Sequence, residues 1–569
     1  MPTAPTRVRY LIVLVAMLAA VLLYLERVCV SVAEVYIRED LRIGKMEMDA
    51  AFGAFFIAYA LAQVPSGWLS QRYGPRAMMT LYMIGWSVFG VFIALAQDFW
   101  TLFAARFLLG LSQAGAYPTA ALMVKRWVPD RSRGLASGVV AFGGRFGGAG
   151  ANWLTGILIV AFVPFSTPAT ITQADVLNST LFGVHALDST PGPLSSVRGA
   201  IRERLIESDP TSDQMAGMAV SGGPLRMFAM SPEQIAVAAN DQVRAPWSMG
   251  EGATDGVQLA NDGRAIRKKP PGERTEQESE RLSRLVIEKA FPGAIRQLHV
   301  EGWRPTLFLY GLLGILVGGL FWVIARDWPR NHPWANAGEV ALIESGQSQT
   351  SQQAGTDAIP WRELIASRNQ WMFSANNFFA NVGWVFLISL MPRFLDERFH
   401  VPVDQRGLMT TVPLFLASFG LIAGGWYTDR ISRTLGKRWG RAIPMGAFRI
   451  PCAVALALTP WLPSAWAVVA ALTVMSICQD FGIPAVWAFA QDTGGRQAGA
   501  VLGWGNMWGN FGAGIAILLT GTVAERLGWD AAMLTIAGAF ALCSLTGILT
   551  NAAEPLFRDE VASPGERPA

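Results

Sequence analysis

The chain is short of charge. Only 15% of its 569 residues are Asp, Glu, Lys or Arg, against about 25% in an ordinary soluble domain. That deficit excludes a string of water-soluble domains. Cysteine is scarce too: Cys29, Cys452, Cys478 and Cys543 lie far apart in apolar text. They read as small buried hydrophobes, not as a disulfide framework or a metal site. His185, His299, His332 and His400 all fall outside the apolar runs and have no metal-ligand spacing. No GxSxG elbow and no Walker-type loop occurs, and no nucleophile–base constellation is visible, so an enzyme is the least favoured class and no cofactor is expected. No basic stripe alternates with aromatics. The net charge of +4 therefore reads as loop Lys and Arg, not as a nucleic-acid surface.

What is abundant is apolar: 52% hydrophobic residues, with 58 Gly, 31 Phe and 21 Trp. Gly is frequent in membrane helices and Trp gathers at membrane interfaces. A span needs about 20 apolar residues. Runs of that kind appear near 8–32, 50–70, 77–96, 99–124, 134–163 and 304–326, and again near 370–394, 405–427, 441–461, 464–490, 496–523 and 529–551. An all-α membrane protein of twelve helices in two six-helix bundles is expected. The opening Arg7 and Arg9, an apolar stretch and SVA before Glu34 resemble a signal peptide. The stretch is too long for one and a Glu-Arg pair interrupts it, so it is taken as the first span.

Lys and Arg in short loops set orientation. With the N-terminus cytoplasmic, Arg72, Arg76, Lys125, Arg126, Arg131, Arg133, Arg430, Arg433, Lys437, Arg438 and Arg441 all fall inside. The chain divides into residues 1–163 (spans one to five), an extracytoplasmic insert at 164–302, span six at 303–326, a cytoplasmic linker at 327–368, spans seven to twelve at 369–552 and a tail at 553–569. The linker text ESGQSQTSQQAGTDA has a disordered composition. The insert carries DSTPGPLSS and a charged tract expected to form an amphipathic helix from about Glu273. A loosely structured cap with short helices is expected there.

An internal repeat supports two halves: GWLSQRYGPR at 67–76 matches GWYTDRISR at 425–433. The first copy resembles the loop signature G-x-x-x-D-R-x-G-x-R of the major facilitator superfamily. Gln71 stands where that family usually has Asp; the second copy keeps Asp429 and Arg430. YLERVCVSVA, FFIAYALAQVPSGW, RFLLGLSQAGAYPTA and GWGNMWGNFGAG resemble its anion:cation symporter branch, whose members carry hexuronates, aldonates, glucarate, phthalate, sialic acid and glutamate. The resemblance covers both halves but not residues 164–302 or the linker. It implies a secondary transporter importing a small organic anion with a proton, or with sodium, as coupling ion. It also implies gating by Gly67, Arg72, Gly74, Arg76, Asp429 and Arg430, with Gln71 weakening the first-half latch. A monomer in the inner or plasma membrane, with both termini cytoplasmic, is expected.

Charges inside spans cost about 2.5–3.5 kcal/mol or more and usually have a function. Glu26 and Arg27 come late in an outward-going helix and Arg106 early in an inward-going one, so Glu26 and Arg106 are placed to meet in the outer half. Glu26 is the leading proton-coupling candidate with Arg106; the plainer reading is a static clamp. Gln113, seven residues after Arg106 and on the same face, stands where the resemblance implies a titrating Glu. It cannot titrate, so coupling rests on Glu26, or another acid substitutes, or coupling is lost. Asp480 is the other acid well inside a span, a coupling candidate or a helix–helix contact. Arg145 sits about 16 Å into its span by helical rise. With Arg27 it is expected to receive an anion; pairing with an acid such as Asp480 is the alternative. Arg449 is expected to snorkel to the cytoplasmic face. Tyr59 and Gln63, Asn376, Asn377 and Asn381, and Asn506 and Asn510 are candidates for hydroxyl-rich substrate, or plain interhelical glue. Trp504 and Trp508 are candidate stacking rings, or packing. The rival classes are a facilitator or exchanger of the same fold, and a sensor that uses the insert.

Overall fold

The computed structural model describes residues 4–188, 192, 194–208, 231–244, 257, 259–345, 359–399, 401 and 403–557. Most of the linker text and the last twelve residues lie outside the described residues, as does His400. The described chain is almost wholly helical; its one β-bridge there joins Val176 and Ile295. It divides into two compact units, one of Met1–Val30, Met46–Asn152 and Leu307–Ala569, the other of Ser31–Lys45 and Trp153–Thr306.

Among the described residues ten helical stretches are long and apolar enough to cross a membrane. One, Leu408–Trp461, is 54 residues long and covers two of the predicted spans. The backbone breaks within it at Gly436, φ 75°, a left-handed angle that glycine adopts without a Cβ penalty. The glycine-rich helix Arg133–Ala161, which carries Arg145, is not among the ten. Two predicted spans are each two helices: Phe99–Gln113 and Ala116–Trp127 divide at Ala114–Gly115, and Ala465–Phe481 and Ile483–Thr493 at Gly482.

Local chemistry marks the ends. The Asp98 carboxylate accepts from the Thr101 N–H, closing a capping box with the Thr101 hydroxyl, worth about 1 kcal/mol. Gly74, φ 90°, precedes Pro75 at the first turn of Pro75–Ala94, the residue best suited to a helix start. Within the membrane-spanning unit, Arg368–Val385 packs along Ala498–Leu527, and Val403–Ala442 along Ala465–Phe481. Phe386, Leu395, Leu472 and Phe540 form part of one fully buried cluster there.

The other unit has a core of its own, not the loose cap expected. Phe182, Ile201, Ile235, Val286, Phe291 and Ile295 are among its buried residues, and the Phe182 and Phe291 rings stack at 4.1 Å. The charged tract forms the helix Glu276–Ala290, opened by a capping box between Thr275 and Glu278. Beneath it a buried ionic cluster gathers on Asp262, which takes Arg281 Nε at 2.8 Å and His299 Nε2 at 3.0 Å. Burial pushes the Asp262 carboxyl up, but His299 and Arg281 outweigh it and hold it at about 2.

Candidate functional site

Arg27 lies on the helix Val8–Val32. Its guanidinium carbon stands 4.5 Å from the Tyr59 ring centre, 5.0 Å from Tyr24 and 5.1 Å from Phe55. Its Nε donates to Gln113 Oε1 at 3.1 Å, while the Gln113 amide donates to the Leu23 carbonyl at 3.4 Å. A neutral amide therefore orients this cation, and its Nη2 is buried without a partner. Replacing the expected Glu with Gln removes a titrating group and also leaves Arg27 uncompensated.

Glu26 does not meet Arg106. Neighbours in sequence point about 100° apart on a helix, and Glu26 turns to the helices Pro75–Ala94 and Trp303–Ile324. Ser87 donates to its Oε1 at 3.3 Å, and Oε2 has no partner. Glycines make room for it: a Cβ at Gly314 would come 2.5 Å from Oε1, and one at Gly90 3.1 Å from Oε2. Arg106 faces the Phe52 and Phe55 rings at 5.0 and 4.8 Å, with its Nε and Nη1 unpartnered. The Phe55 ring thus neighbours both guanidiniums, Arg27 and Arg106.

Arg145 takes the alternative that the sequence left open. Its Nε and Nη2 donate to Asp480 Oδ2 and Oδ1 at 2.9 and 2.8 Å, a planar bidentate pair. Its guanidinium carbon also lies 3.4 Å from the Trp384 ring centre. The pair joins the first half of the chain to the second. Tyr117 and Trp487 join them again, edge to face at 5.1 Å, and Tyr24 lies 6.2 Å from Tyr117. Sequence reasoning missed Tyr24, Tyr117, Trp384 and Trp487. Their one signal was an aromatic on a span that also holds a charge or a glycine.

Tyr59 and Gln63 share a face; Gln63 is fully buried with neither end of its amide satisfied in the protein. Asn376 is interhelical glue: its Nδ2 donates to the Met445 and Cys543 carbonyls at 3.2 and 2.8 Å. Asn377, Asn381 and Asn510 each donate one turn back, to Phe373, Asn377 and Asn506. Trp504 and Trp508 pack with Trp371 at 6.0 and 5.4 Å. Arg449 does not snorkel: it is buried, donating to the Gln479 carbonyl.

At the end bearing the basic loops the halves lock. Asp429 accepts from the Gly134 and Leu135 N–H groups, both at 2.8 Å, capping the helix Arg133–Ala161 from another helix. Gln71, at the matching position of the first repeat, lies 3.4 Å from the place a Gly499 Cβ would take, at the start of Ala498–Leu527. It is buried and neither end of its amide has a partner. Gly67 meets the Gly499 carbonyl so closely that a Cβ would collide. Arg76 N–H donates to Asp327 at 2.9 Å, and the Gly74 Cα faces the same carboxylate. Arg72 lies over the Trp68 ring at 5.2 Å, and Arg430 is exposed. Asp492 adds Arg441 at 3.0 Å and Lys437 at 3.3 Å.

Long apolar helices packed into one unit, with buried cations among them, define a membrane-spanning helical bundle. The sequence profile of the Major Facilitator Superfamily matches residues 16–174, 297–517 and 378–567, and the chain belongs to that family. It is 36% identical to the D-galactonate transporter of Escherichia coli O6:H1 (strain CFT073) over 155 residues, 27% of this chain and 35% of that one. It is 34% identical to the hexuronate transporter of Bacillus subtilis (strain 168) over 151 residues, 26% of this chain and 36% of that one. These matches span about a third of the length of those relatives. The probable L-galactonate transporter of Escherichia coli (strain K12) matches over 427 residues at 21% identity, 74% of this chain and 62% of that one. These relatives, with the glucarate and sulfoacetate carriers also matched, are the organic-anion branch that the motifs resemble. Among solved structures, the transporter FucP in its outward conformation superposes with a TM-score of 0.60 at 12% identity, covering 95% of this chain and 99% of that one.

Proposed function

We propose that the chain is a secondary active transporter that imports a small organic anion, a sugar acid or an aromatic carboxylate, by proton symport with alternating access. Twelve spans in two bundles, with the insert outside and both termini cytoplasmic, make the working molecule, a monomer in the inner or plasma membrane. The observation that carries the reading is Arg27, a buried cation held by a neutral amide and three aromatic rings, with Nη2 unpartnered.

The substrate carboxylate binds Arg27, and Tyr59, Gln63, Asn506 and Asn510 supply neutral groups for its hydroxyls. A proton on Glu26 neutralises the one carboxylate of the first span, leaving Arg27 and Arg106 as cations for the incoming anion. Loss of that proton restores the carboxylate, and its negative charge favours release. Asp480 is a second proton acceptor. Protonated, it loosens its hold on Arg145, which ties the halves together, and frees that guanidinium for the substrate. The contacts of Asp429 with Gly134 and Leu135 hold the cytoplasmic end shut in one of the two states, with Gly67, Arg72, Gly74, Arg76 and Arg430 at the same gate.

Gln113 supports a second reading, a facilitator, exchanger or sodium-coupled carrier of the same anions, because the fourth span offers no acid. Uptake of labelled D-galactonate and D-glucarate into proteoliposomes separates them. Accumulation driven by an acidic exterior and abolished by Glu26→Gln supports symport. Uptake that ignores the pH gradient supports the second reading, and no uptake of any acid contradicts both.

A further inference from the structure

The unit that contains the insert holds a cleft of about 620 Å³, lined in part by Arg38, Arg42, Glu39, Glu288, Lys289 and Gln297. That is the size of an ordinary small-molecule site. Its two acids are already engaged. Glu39 accepts from the backbone and side-chain N–H groups of Gln297, both at 3.0 Å. Glu288 accepts from Arg284 Nε at 2.8 Å and Leu298 N–H at 2.7 Å. Burial pushes both carboxyls up.

The cations are not so engaged. Among the described residues Arg38 has only Glu34 at 3.8 Å, beyond hydrogen-bond reach, and its Nε is buried without a partner there. Arg42 and Lys289 are exposed at the cleft. Arg42 also adopts φ 54°, the left-handed region, as the cap of Glu34–Leu41. Glycine is the usual residue there, and a side chain is strained in that region. A strained arginine at the mouth of a cleft is the kind of outlier that collects at ligand sites.

We propose that this cleft is a second anion site, which binds a small carboxylate through Arg38, Arg42 and Lys289, apart from the membrane-embedded site. Guanidinium forks fit planar carboxylates, and the amides of the wall suit hydroxyl groups. The proposal does not depend on the transport reading.

The test is calorimetry of D-glucarate binding to the full chain in detergent at low salt. The unaltered chain should bind two molecules, and Arg42→Gln with Lys289→Gln should remove one. In an Arg27→Gln background the one remaining site should weaken at least about tenfold when the same pair is added. Both residues are exposed, so the unfolding temperature without ligand should not move, and Arg42→Lys should restore part of the affinity. One site in the unaltered chain that the double change abolishes supports the cleft and sinks the transport site. Unchanged stoichiometry and affinity in the double variant overturns the cleft.

Discussion

Arg145 and Asp480 face each other across the two halves of the chain, fork to fork at 2.8 and 2.9 Å. Removing one partner of a buried pair strands the other charge and costs about 3–5 kcal/mol. Arg145→Ala and Asp480→Ala should each lower the unfolding temperature sharply, and the double variant should recover part of the loss. Thermal unfolding of the three purified proteins checks this. Strictly additive losses would mean that the pair contributes nothing.

The repeat loops differ in one residue, and the difference has a predicted consequence. Asp429 caps a helix across the halves with two hydrogen bonds, whereas Gln71 sits beside the matching helix start and makes none. Gln71→Asp should add about 0.5–2 kcal/mol to the closed end, the range of an N-cap, and Asp429→Ala should remove a similar amount. Spin labels at the exposed Tyr73 and Leu435 report the populations: Gln71→Asp should enrich the short distance.

The ionic cluster of the insert predicts an acid transition. The Asp262 carboxyl titrates at about 2 in the folded chain, against about 3.9 unfolded. A depressed acid contributes stability above the unfolded value and loses it as pH falls through the folded one. Local hydrogen-exchange protection of Glu276–Ala290 should therefore drop between about pH 4 and pH 2. Asp262→Asn should remove that step and lower protection at pH 7, since Arg281 then lies buried without its acid.

Gln113 holds Arg27 as a neutral acceptor. Gln113→Glu would place a competing carboxylate on the same Nε. Anion affinity should fall about tenfold relative to the unaltered chain, and because Arg27 holds the new carboxylate ionised the loss should persist at pH 5. Binding assays on the two proteins decide; affinity equal to that of the unaltered chain would show that residue 113 does not bear on the site.

The helical membrane architecture was legible because so many apolar runs of span length do not occur in a water-soluble chain. The repeat at Gly67 and Gly425 pointed to two halves. Helix pairing was less so. Periodicity says which residues share a face, as with Tyr59 and Gln63, but not which helix that face meets. Glu26 was therefore assigned to Arg106 and instead found Ser87. Arg145 offered two readings of equal chemistry, and only geometry selects Asp480. The core of the insert was hidden because its apolar residues are spread through charged, Pro- and Gly-rich text. Its capped helix, opened by Thr275 and Glu278, was in view.

The claim beneath the account is that Arg27 receives a negatively charged guest. Titrating the full chain with D-galactonate, unaltered and as Arg27→Gln, measures it directly. The account predicts that the neutral variant keeps its fold and loses at least about tenfold in affinity at the membrane-embedded site, the strength of one charge-assisted hydrogen bond. A folded Arg27→Gln chain that binds the anion at that site as tightly as its parent would contradict it.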